Sequence, residues 1–131
     1  KKILCGGTTA NIVSRELKRP VTVELDTPDK ELPPVSHIEG IDLITEGILT
    51  LSKVERLLSL GVCKRPYGPA EQMIRLLQDS DHITFIVGTR INTAHQDPNL
   101  PIELEMRRNV VKKIKYLLET KYLKDVEISY L

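Results

Sequence analysis

Aromatic side chains are nearly missing from this chain, which has four tyrosines, one phenylalanine and no tryptophan in 131 residues. Stacking platforms for single-stranded nucleic acid need several exposed rings, so that class of binder is disfavoured. Charge of one sign is missing too. Nineteen basic residues against 18 acidic ones leave a formal charge of +1. No global field therefore draws the chain to nucleic acid or to an anionic membrane, although a local basic patch remains open. Cysteine is scarce, and Cys5 and Cys63 form neither a disulfide framework nor a closely spaced zinc pair. A reducing compartment fits. No apolar run approaches the ~20 residues of a membrane span and no signal-peptide pattern opens the chain, so a cytoplasmic protein is expected.

What is present has the size of one compact domain. A chain of this length with 40% hydrophobic residues can bury roughly two-thirds of its unfolded surface. Because the text opens on lysine and enters a strand-like segment within two residues, a piece of a longer protein is expected.

Short apolar runs ending in turn residues alternate with longer segments of helical period, the sequence form of a βαβ protein. Five strands are expected, at Lys2–Cys5, Val21–Leu25, Ile41–Thr45, Ile83–Val87 and Val126–Tyr130. Helices are expected at Thr9–Lys18, with Thr8 or Thr9 as N-cap and Pro20 as the stop, and at Ser52–Leu60 with Gly61 as C-cap. Two more are expected at Pro69–Leu77 and Glu103–Thr120. The segment Asp26–Pro34, with three prolines, reads as a surface loop. The expected fold class is three-layer α/β/α, with a mainly parallel five-stranded sheet of Rossmann-like or flavodoxin-like kind. The order 2-1-3-4-5 is one possibility for that sheet.

In such a sheet the strand C-terminal ends share one edge, where ligands usually sit. Gly6, Gly7, Thr8, Thr9 and Asn11 follow the first strand and open a helix. Glycine admits close backbone approach, and a helix N-terminus offers free N–H groups with about half a positive charge, so the loop can cradle a phosphate or carboxylate. It can equally be a tight turn with a threonine cap. Thr45, Glu46 and Gly47 end the third strand. Glu46 can accept from ligand hydroxyls or an amine, or pair with an arginine such as Arg90. Gly88, Thr89, Arg90, Asn92 and His95 follow the fourth strand, and arginine suits bidentate binding of an anion. Cys5 precedes a helix N-terminus, which can activate a thiol. His37, His82 and His95 are scattered, with no metal-binding interval.

Taken in order, "CGGTTANIVSREL", a Val-x-Val-x-Leu strand, "PP", "IEGIDLITEGILTLSKV" and "DHITFIVGTRINTAHQDPNLP" resemble the C-terminal region of bacterial phosphatases related to stage II sporulation protein E. The resemblance covers Lys2 to Tyr130. It implies a regulatory extension of a metal-dependent Ser/Thr protein phosphatase, whose catalytic domain uses manganese or magnesium held by aspartates, typically in Asp-Gly pairs. This chain has no Asp-Gly pair. The implied protein is therefore the accessory domain without its enzyme, with no cofactor of its own.

Three functions follow as expectations. The first is a ligand-sensing domain that takes a small anionic metabolite or nucleotide at the strand ends and acts on the N-terminal phosphatase domain of the same chain. The second is a small-molecule enzyme, a transferase or hydrolase on a phosphorylated metabolite, using Cys5, Glu46 and His95. The third is a docking or homodimerisation module that uses the basic helix face at Arg107–Lys115.

Overall fold

The apolar start of the chain does form a strand, and each of the other four expected strands lies within two residues of an observed one. The structure, a computed structural model, describes residues 1–25, 29–61, 68–88 and 100–131, except for the side chains of residues 100 and 101. The chain divides into two compact units, Lys1–Asp79 and Ser80–Leu131.

In the first unit, β1 (Ile3–Cys5) leads into α1 (Gly7–Leu17), followed by β2 (Thr22–Val23), β3 (Ser36–His37) and β4 (Leu43–Thr45). Two helices follow, α2 (Gly47–Leu60) and α3 (Pro69–Gln78). In the second unit, β5 (His82–Val87) is joined through α4 (Leu100–Lys121) to β6 (Asp125–Tyr130).

The sheet expected from the sequence is not the one observed. Among the described residues, a four-stranded mixed sheet has the order β1-β4-β3-β2, and β5 and β6 form a separate parallel pair. The five-stranded, mainly parallel sheet is thereby overturned. The reason lies between residues 21 and 45. The chain reverses after β2, so β3 pairs antiparallel with it (Thr22 with His37, Val23 with Ser36), and the Glu24 N–H extends the ladder to the Val35 carbonyl (2.9 Å). β3 then pairs antiparallel with β4. A two-residue strand has no periodicity to read, yet it occupies the position beside β4 that a parallel neighbour would have taken. The one parallel pairing kept in this sheet is β1 with β4, in the register Ile3–Leu43, Leu4–Ile44, Cys5–Thr45.

The pleat sends alternate residues of that pair to opposite faces. On one face Ile44 joins Ala10 and Ile38 in a buried cluster, against which Leu4, Val13, Val21 and Ile41 pack. Elsewhere in the unit, α2 and α3 pack together and α3 also meets β4. Val54, Leu58, Met73 and Ile74 are fully buried among them. In the second unit, α4 packs on β6, and Val110, Val111, Ile114, Leu118, Ile83, Val87 and Val126 are buried.

An ion cluster fastens the segment at residue 29 to the helices. Lys53 on α2 donates to the Asp29 carboxylate and lies 3.7 Å from Glu71 Oε1 on α3. The Glu31 N–H also donates to Asp29 Oδ1 (3.0 Å). Hydrogen bonding by Lys53 holds the Asp29 carboxyl below its ordinary pKa of 3.8 and the Lys53 ammonium above its ordinary 10.5.

Candidate functional site

β1 and β4 run parallel, so their C-terminal ends lie side by side, and each opens directly into a helix. Gly6 is the N-cap of α1 and Glu46 the N-cap of α2. Two helix N-termini, each carrying about half a positive charge, therefore start from the same edge of the sheet. Gly6 adopts φ 122°, ψ 137°, a conformation open to glycine and costly to other residues. Its N–H donates to the Thr45 carbonyl (2.8 Å), which ties the two strand ends together.

No side chain caps α1, although a threonine cap was expected at Thr8 or Thr9. Helix α1 begins at Gly7, before either hydroxyl, and both threonines are exposed inside the first turn. A carboxylate lies beside the helix start without capping it. A Cβ built on Gly7 would lie 3.0 Å from Glu46 Oε1 and 3.3 Å from Oε2, so a side chain there would push that exposed carboxylate aside by a few tenths of an ångström. The two glycines thus have separate reasons: Gly6 for its backbone angle, Gly7 for the close approach of Glu46. The Glu46 carboxylate lies beside the Gly7 Cα at the start of the helix, without capping it.

Beneath this edge lie Cys5 and Thr45, whose side chains share a face through the parallel register. Burial pushes the Cys5 thiol above its ordinary pKa, outweighing the opposing pull of the Thr45 side chain. The activated thiol that a helix N-terminus can create is not realised here, and Cys5 stays protonated at neutral pH. Thr45 is 1% exposed and its Oγ1 has no hydrogen-bond partner, so its contact with Cys5 is a weak polar one rather than a formed hydrogen bond. A buried hydroxyl without a partner costs about 1–3 kcal/mol. Thr45→Val keeps the shape and removes that group; it is expected to raise stability by about 1 kcal/mol, read as a higher urea midpoint with an unchanged slope. A fall in the midpoint contradicts the assignment.

The first unit brings together Gly6, Gly7, Thr8, Thr9, Asn11, Thr45, Glu46 and Gly47. Gly88 follows β5 in the second unit. Thr89, Arg90, Asn92 and His95 lie outside the described residues, as does Cys63. Among the described residues no group of three or more His, Cys, Asp or Glu side chains could hold a metal ion. No helix among them is long and apolar enough to cross a membrane. Sequence reasoning did not anticipate the Asp29–Lys53–Glu71 cluster, because its three members are far apart in the chain and follow no motif.

No protein-family model, no curated protein and no solved structure matches this chain.

Proposed function

We propose that this chain is a regulatory ligand-binding domain that takes a small anionic metabolite or nucleotide where β1 and β4 end, and that it serves a metal-dependent Ser/Thr protein phosphatase of the kind its sequence resembles. The observation that supports this reading is the Glu46 carboxylate against Gly7, at the start of α1. The Gly7, Thr8 and Thr9 N–H groups, which a helix leaves without intrahelical partners, take no side-chain cap and are open to a phosphate or a carboxylate at the helix start that Glu46 already adjoins. Glu46 then acts as a resident competitor that the ligand displaces. Control of the phosphatase requires the ligand to favour one arrangement of the longer protein over another.

The test is thermal unfolding of the full chain and of Glu46→Gln with inorganic phosphate, AMP, glucose 6-phosphate, coenzyme A and citrate. A ligand at a hundred times its dissociation constant adds roughly 2.7 kcal/mol of stability. At least one of these anions is expected to stabilise both proteins, and Glu46→Gln at lower ligand concentration. If none of them stabilises either protein, the reading fails.

A further inference from the structure

The outward side of α4 has a pattern that the strand-end site does not use. The helix runs 22 residues, about 33 Å. Val110, Val111, Ile114 and Leu118 are buried along one side. Away from them, Ile102, Met106 and Tyr116 are 59%, 51% and 66% exposed. Together with Asn109 and Lys113 they fall at successive spacings of four, three, four and three residues. That spacing is the seam of a two-helix coiled coil, in which isolated polar positions select the partner.

Charge narrows the choice of partner. Across the span of these positions, Ile102 to Tyr116, there are five cations, Arg107, Arg108, Lys112, Lys113 and Lys115, against two acids, Glu103 and Glu105, both in the first turns. Lys115 pairs with Glu119 (2.9 Å), and the Arg108 guanidinium lies 5.8 Å from the centre of the Tyr130 ring. Arg107, Lys112 and Lys113 have no acidic partner among the described residues. A lysine in the seam loses hydration when a helix closes over it, so a carboxylate is needed opposite. A parallel second copy would set the same cations against each other. An antiparallel one would meet them with only Glu103 and Glu105, and a concentration-dependent dimer of the full chain that Lys112→Glu, Lys113→Glu abolishes would overturn the choice of a foreign partner. The three apolar side chains, interrupted by Asn109 and Lys113, form a stripe narrower than the apolar face on which a helix lies in a membrane.

We propose that this face of α4 docks an acidic amphipathic helix of a partner protein, with apolar residues against Ile102, Met106 and Tyr116 and carboxylates against Lys112 and Lys113. The probe is a fluorescein-labelled helical peptide with leucine at its seam positions except the one opposite Lys113, which is glutamate, and with glutamate on both flanks, titrated with the full chain and followed by anisotropy. Saturable binding is expected, weakening with added salt and falling about tenfold or more in the double variant Lys112→Glu, Lys113→Glu. Met106→Asp should weaken it as well. These are surface changes, so the urea midpoint serves as the folding control. A peptide with lysine in place of each glutamate is expected to bind the charge-reversed variant and not the original, an exchange that a damaged fold cannot produce. The proposal is overturned if the glutamate peptide does not bind, if a version with glutamine in place of each glutamate binds equally well, or if the same lysines instead bind phosphatidylserine vesicles or an oligonucleotide.

Discussion

Leu118→Ala is expected to cost the Ser80–Leu131 unit about 3 kcal/mol, enough to unfold much of it at moderate urea. Leu118 is 0% exposed, as is Ile114 one turn before it on the same helix. A parallel pair of six-residue strands is not stable alone and depends on the helix that covers it. Truncating a fully buried leucine removes its transfer free energy and leaves a cavity, a change that costs about 2–5 kcal/mol. The readout is hydrogen exchange of the β5 and β6 amides, which should lose protection together, with the urea midpoint measured alongside. Protection of Ile83–Val87 at the wild-type level would show that α4 is not what holds these strands.

Lys53→Met is the second large effect, an expected loss of about 2 kcal/mol from the first unit. It leaves the Asp29 and Glu71 carboxylates facing one another without their shared cation. The three side chains are 13–19% exposed, so some water remains and the penalty stays below the 3–5 kcal/mol of a fully buried broken pair. Glu71 Oε2 is already buried without a hydrogen-bond partner, which leaves the cluster little room to relax. The pH dependence has a definite sign. Asp29 has a depressed folded pKa, so its contribution is present above the ordinary value of 3.8 and is lost as pH falls through the folded value. Lys53 has a raised one, so its contribution is present below 10.5 and is lost as pH rises through the folded value. The penalty of Lys53→Met should therefore be full at pH 7 and shrink in acid below pH 3.8. A penalty independent of pH would mean that packing of the lysine stem, and not its charge, fastens residue 29.

The elements that the sequence discloses and those that it conceals differ by length and by range. Helices announced themselves through period and punctuation: Pro69 begins α3 and Gly61, with φ 68°, ends α2. The apolar run Ile83–Val87 was readable as a strand because five residues suffice for a pattern, and the observed strand, His82–Val87, adds one. Ser36–His37 was not, and those two residues decide the sheet, since their antiparallel pairings on both sides replace the parallel arrangement that βαβ alternation suggests. At the candidate site, the residue types beside Gly6 and Gly7 were readable, and so was the acid at Glu46. Their mutual approach was not, because it arises from the pairing of Cys5 with Thr45 across forty residues of chain. The threonine cap failed for a local reason, α1 starting before Thr8.

The central claim is that the start of α1 takes an anion in competition with Glu46. Its most direct measurement is a phosphate and citrate titration of the isotope-labelled chain, followed through the backbone amide resonances of Gly7, Thr8 and Thr9 in the natural sequence and in Glu46→Gln. The account predicts saturable shifts centred on these three amides, with a lower midpoint in Glu46→Gln. Shifts that never saturate, or that centre elsewhere and ignore the removal of the Glu46 charge, would contradict it.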